Sequence, residues 1–131
     1  MKTIKQLSVF VENRTGRTGE VTRILAARGI NMSAFSLAES ADFGILRMIV
    51  SDVEGAQRAL REASFGVSVN DVLSIACPNR PGAMHGVLEV LAREGVFIEY
   101  MYAFSEGDTA NVIVRPTDIE RAAEILRRVE R

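Results

Sequence analysis

The sequence predicts an α+β protein made of two copies of one strand-helix-strand-strand-helix unit, and three observations predict it. Sliding the chain against itself by 66 positions aligns two halves without a gap, with 15 identities in the 55 positions from Leu7 to Arg61. Each half passes from a short apolar run suited to a strand into the i, i+3, i+4, i+7 spacing of a helix, and later does so again. Glycine, asparagine and aspartate punctuate both copies at matching places.

In the first half, Leu7 to Val11 is apolar or β-branched except for one serine and ends at the polar turn Asn13-Arg14-Thr15-Gly16, as a buried strand does. Val21, Ile24, Leu25 and Arg28 then follow helical spacing, three of the four apolar, which lays a single stripe against a sheet. Gly29 ends that helix, because glycine adopts the left-handed conformation after a last turn at least cost. Met32 to Leu37 and Ile45 to Val50 predict a hairpin turning through Asp42 and Gly44. Asp52 is suited to cap a second helix carrying Val53, Ala56, Leu60 and Ala63, and Val67 to Val69 closes the unit as a strand. The order is β-α-β-β-α-β, the split βαβ or ferredoxin-like arrangement, an antiparallel sheet with its helices on one face.

The second half repeats this with Val72 to Cys77, the turn Asn79-Arg80-Pro81-Gly82, and a helix carrying Val87, Val90, Leu91 and Glu94 that stops at Gly95. Ile98 to Phe104 and Ala110 to Arg115 form its hairpin around Gly107 and Asp108, and Asp118 opens a helix carrying Ile119, Ala122, Leu126 and Val129. The counterpart of Gly66 falls one position past Arg131, so the second copy is expected to lack its last strand. Val72 to Cys77 would then keep a bare edge, which argues for association. Only Asn70 and Asp71 separate Val67–Val69 from that strand, which suggests one extended or shared strand where the expected domains, 1–70 and 71–131, meet.

The strand-turn-helix segments around Asn13-Arg14-Thr15-Gly16 and Asn79-Arg80-Pro81-Gly82, with Gly29 and Gly95 closing the helices, resemble the ACT domain family. The resemblance covers nearly the whole chain, and the second copy, with Glu99-Tyr100-Met101-Tyr102-Ala103-Phe104, is most similar to small tandem ACT proteins. It implies a regulatory module that binds amino acids where two such domains meet, with the strand-helix turn in the pocket. The candidate ligand-binding residues are therefore Asn13, Arg14, Thr15, Gly16, Asn79, Arg80, Pro81 and Gly82, together with Met32 and Ile98, which open the second strand of each copy. The chemistry agrees with that implication. A helix start presents backbone N–H groups to a carboxylate, asparagine both donates and accepts, and glycine lets a ligand approach the backbone. Thr15 stands where proline is usual, and Gly19-Glu20 where an apolar residue normally enters the helix.

Plainer readings stand beside these. The turns are also what helix N-termini require, and Arg14, Arg80 and His85 suit solvated surface. Cys77 aligns with Val11 and reads as a small buried hydrophobe, while Tyr100 and Tyr102 alternate with Ile98 and Phe104 as packing residues. Sixteen basic against 17 acidic residues, net charge -1, give no electrostatic footprint for nucleic acid. One Cys with one His argues against a metal site, and no cofactor is expected. No apolar stretch approaches the roughly 20 residues that span a bilayer, and the first residues lead into no signal-like segment, so the chain reads as cytoplasmic, with no membrane partner.

Three functions are weighed. The first is a sensor in which an amino acid or related ligand shifts a domain or subunit arrangement that a metabolic enzyme reads, the chain itself forming a homodimer or larger homo-oligomer. The second is a constitutive regulatory subunit of an amino-acid-metabolism enzyme, similar to the small subunits of acetolactate synthases. The third, an enzyme, lacks a nucleophile-base pair, a metal cluster and a phosphate loop, so no catalytic residue is expected.

Overall fold

The computed structural model describes residues 1–12, 14–39 and 42–130, as six antiparallel strands and four helices. In chain order these are β1 (Lys2–Glu12), α1 (Arg17–Ala27), β2 (Met32–Glu39), β3 (Phe43–Val50), α2 (Val53–Glu62), β4 (Gly66–Pro78), α3 (Ala83–Arg93), β5 (Ile98–Glu106), β6 (Thr109–Pro116) and α4 (Ile119–Glu130). They form two compact units, one from Lys5–Asn70 and the other from Asp71–Arg131 with Met1–Ile4. Val67–Val69 and Val72–Cys77 are parts of the single strand β4. Neither glycine nor proline interrupts it, and Asn70 Oδ1 accepts a hydrogen bond of 2.9 Å from Ser8 Oγ.

In the first unit, Lys5–Asn70, the strand order is β2-β3-β1-β4. The register Leu7↔Met48, Val9↔Leu46 and Val11↔Gly44 puts alternate residues of β1 and β3 on one face. Leu7, Val9, Val11, Leu46 and Met48 are buried there under Val21 and Leu25 of α1 and Ala56 and Leu60 of α2, so both helices cover the same face. Asp52 caps α2 by accepting from the Gly55 amide at 3.0 Å. Past α2 the chain turns through Ser64, at φ 69, and drives Phe65 into the core at 4% exposure.

The second unit repeats the plan with the order β1-β4-β6-β5. Leu73, Ile75, Cys77, Val112 and Val114 are buried with Leu91 of α3 and Ala122, Ile125 and Leu126 of α4. Among the described residues no strand follows α4. The place beside β4 is held instead by the start of β1, Met1–Ile4 belonging to this unit, and Met1 packs against its core cluster. The edge of Val72–Cys77 that the sequence argument leaves bare is therefore covered, and it no longer argues for association.

Deleting Met1–Ile4 removes a neighbour from β4 and a side chain from the second core. Native-state hydrogen exchange should show Leu73, Ile75, Val112 and Val114 losing protection while Leu46 and Met48 keep theirs. Equal protection in both proteins would show that the segment is dispensable.

Candidate functional site

α1 and α3 start differently from α2 and α4. Their N-caps are Gly16 at φ 91 and Gly82 at φ 86, left-handed, with no side-chain hydrogen bond to the first turn. By contrast Asp52 caps α2, and Asp118 Oδ1 accepts from the Arg121 amide at 3.1 Å at the start of α4. The first amide of each helix donates to its own turn, Arg17 N–H to Arg14 O and Ala83 N–H to Arg80 O at 3.3 Å, while helix geometry gives the next two no intrahelical carbonyl at a positive dipole end. Both turns are built alike, Arg14 N–H donating to Glu12 O at 2.7 Å and Arg80 N–H to Pro78 O at 2.9 Å. Thr15 thus follows the same backbone path as Pro81.

The surroundings of the two turns differ. In the first unit Arg14 Nε pairs with Glu12 at 3.1 Å, and Arg17 pairs with Glu20 at 2.6 Å and Glu12 at 3.7 Å. Arg17 also lies over the Phe65 ring, 4.2 Å from its centre. The cleft left beside this turn, reaching Thr18, Leu37 and Glu39, measures about 90 Å³, well below the roughly 300 Å³ at which small-molecule pockets begin. Asn13 lies outside the described residues. In the second unit Asn79 is tied to the β5–β6 turn, its amide donating to Asp108 O at 2.7 Å and Nδ2 to Gly107 O at 3.4 Å. Arg80 is exposed beside a cavity of about 350 Å³ lined by Ile75, Cys77, Ala83, Val87, Leu126 and Val129.

Met32 and Ile98 are not brought to the turn of their own unit. They pair with Val50 and Pro116, whereas the ends of the same strands that lie near the turns are Glu39 and Glu106, paired with Gly44 and Thr109. Seven steps along β2 and eight along β5, on the order of 23–26 Å, separate the two ends. Both side chains pack against the core clusters. The cavity-forming residues Ala83, Val87, Leu126 and Val129 are ones the motif reading misses. Their signal was available in the repeat, where Ala83 and Gly86 stand opposite Arg17 and Glu20. His85 is exposed, 3.6 Å from Glu89, and Cys77 is 9% exposed in the core. Among the described residues no group of three or more His, Cys, Asp or Glu could hold a metal, and no helix is long and apolar enough to cross a membrane.

A family model for an ACT domain pair matches residues 2–130. A solved protein from Bacteroides thetaiotaomicron is similar at a TM-score of 0.93 and 51% identity, covering 98% of this chain and 89% of that one. The ligand-free regulatory subunit of aspartate kinase from Thermus thermophilus is similar at a TM-score of 0.68 and 16% identity, over 98% of this chain and 97% of that chain. Aspartate kinase from Clostridium acetobutylicum follows at a TM-score of 0.58 and 16% identity, with 94% of this chain and 32% of that one covered. At such identities the likeness to the kinases is one of fold. No curated protein matches the sequence.

The left-handed turn at Gly82 and the helical Gly86 should respond oppositely to alanine. No atom lies within 4 Å of a Cβ at either position, so conformation alone decides. Gly82→Ala should lose about 1–2 kcal/mol, and Gly86→Ala should gain about 0.5–1 kcal/mol, measured by urea unfolding. The same sign for both would refute this account of the turn.

Proposed function

This chain belongs to the ACT domain pair family, and on that premise we propose that it is an amino-acid-responsive regulator that acts on a separate protein. ACT domain proteins are regulatory and not catalytic. The observation that carries the reading is the pair of uncapped helix starts at Gly16 and Gly82, in a fold that caps its other two helices with aspartate. A ligand carboxylate would supply the missing acceptor. We read the units as ferredoxin-like ACT domains with bounds near 1–70 and 71–131, the second completed by Met1–Ile4. We assign ligand contact to the two turns, Arg14, Thr15 and Gly16 with Asn13, and Asn79, Arg80, Pro81 and Gly82. The second turn is favoured because Arg14 and Arg17 are already paired with Glu12 and Glu20 while Arg80 stands exposed beside a cavity of ligand size.

Regulation would follow from differential affinity, the ligand favouring whichever domain or subunit arrangement completes its site. A cytoplasmic homo-oligomer that contacts an enzyme of amino-acid metabolism fits this scheme. A constitutive regulatory subunit is the second reading, and the fold shared with the aspartate kinase regulatory subunit over nearly all of both chains favours it.

The test is a thermal-shift screen of the proteinogenic amino acids, because a ligand at 100 times its Kd stabilises the native state by about 2.7 kcal/mol. For whichever amino acid binds, Arg80→Ala should weaken affinity by about 1.5–3 kcal/mol, the range for hydrogen bonds to charged groups, with the fold intact. Unchanged affinity by calorimetry would place the site away from the second turn.

A further inference from the structure

Resting on that carboxylate reading, we propose that the cavity between α3 and α4 receives an aliphatic chain of about four to six carbons, as its volume near the lower end of ligand pockets allows. The ligand class is then aliphatic carboxylates, either leucine-like amino acids or the corresponding acids. The inference comes from comparing the repeats. In the first unit the position of Ala83 is held by Arg17, paired with Glu20 and stacked on Phe65. Their counterparts 66 positions on are Ala83 and Gly86, while that of Phe65 is Arg131, which lies outside the described residues. Beside Ala83 and Gly86 lies a space of about 350 Å³ walled by Ile75, Cys77, Val87, Val90, Leu126 and Val129.

The wall chemistry selects the occupant. The walls are mostly apolar and open to solvent, and an aliphatic chain laid against them removes apolar surface from water. The charged groups bordering the space are Arg80 and Glu130, and Glu130 Oε1 already accepts from the Met1 amine at 2.8 Å. An aliphatic tail with a single anionic end fits this arrangement, its tail among the carbons and its carboxylate toward Arg80 and the start of α3. A polar side chain such as that of aspartate or lysine would be desolvated without a partner. The space of about 300 Å³ between α1 and α2 of the first unit is bordered by Arg23, Arg28 and Glu62 and should bind no such tail, so one ligand per chain is expected.

Cys77 in the cavity wall provides a readout independent of regulation. Leucine, isoleucine, methionine and 4-methylpentanoate should each be tested for thermal shift, calorimetric stoichiometry and protection of Cys77 from iodoacetamide, against aspartate, lysine and threonine. Expected are one site per chain, at least tenfold slower alkylation with the aliphatic set, and no protection by the polar set. Ala83→Arg, which restores the first repeat's side chain, should abolish protection. Ala83→Leu, which fills the space without charge, should do the same if the arginine variant fails to fold. Binding of 4-methylpentanoate but not leucine would identify the free acids, and the converse the amino acids, either outcome upholding the cavity. If amino acids bind while Cys77 stays equally reactive, or if Ala83→Leu binds normally, the cavity proposal is overturned and the turn site survives. If 4-methylpentanoate protects Cys77 but no amino acid binds, the amino-acid reading falls and the cavity stands. Absence of protection by every compound overturns the cavity proposal outright.

Discussion

Everything in this fold depends on burying one face of a four-stranded sheet under two helices that each offer a single apolar stripe. Leu7, Val9 and Val11 alternate along β1 and are almost fully removed from water, and Leu73, Ile75 and Cys77 do the same along β4. Period-two alternation fixes which face that is, since a slip of one residue would turn the whole set outward. The helices must then cross above these strands, and the strand-helix turn must reverse direction within four residues. A left-handed glycine achieves that reversal, and its consequence is a helix that begins without a side-chain cap. The helix starts without side-chain caps on which the functional reading rests thus follow from how the chain reaches its own core.

Much of the architecture was legible because periodicity and punctuation report burial directly. The helix stops at Gly29 and Gly95, the caps at Asp52 and Asp118 and the hairpin registers all reflect local chemistry. What periodicity does not carry is the partner of a strand. Among the described residues no strand follows α4, but a sheet position is a place in space, and the place beside β4 is taken by Met1–Ile4. Met32 and Ile98 show a related limit. Their position in the repeat is clear, yet the strand length that carries them away from the turn is fixed by pairing, which a single sequence does not display.

The two copies keep a common backbone while differing in what fills it. Thr15 and Pro81 share a turn geometry, so the departure from proline is structurally silent, whereas the exchange of Arg17 and Glu20 for Ala83 and Gly86 changes the interior. An arginine lying on a phenylalanine ring and paired with two carboxylates, its buried Nε making no hydrogen bond, takes up in the first unit the place that Ala83 leaves open in the second. Divergence after duplication is therefore best sought in side-chain volume at matched positions, since identity at the turns alone would make the copies look equivalent.

The strand borrowed from the start of the chain also bears on the order in which the protein can form. Lys5–Asn70 is contiguous, so the first unit contains every segment it needs as soon as that stretch has left the ribosome. The second must join Met1–Ile4 to residues beyond Asp71, and its ends meet in the contact between Met1 and Glu130, 129 positions apart. Closing so long a loop adds only a slowly growing entropic cost to stability, but contacts of high sequence separation form late and slow the search. During synthesis, residues 1–4 therefore wait, tethered to the first unit, until β4 and the elements packed on it have emerged.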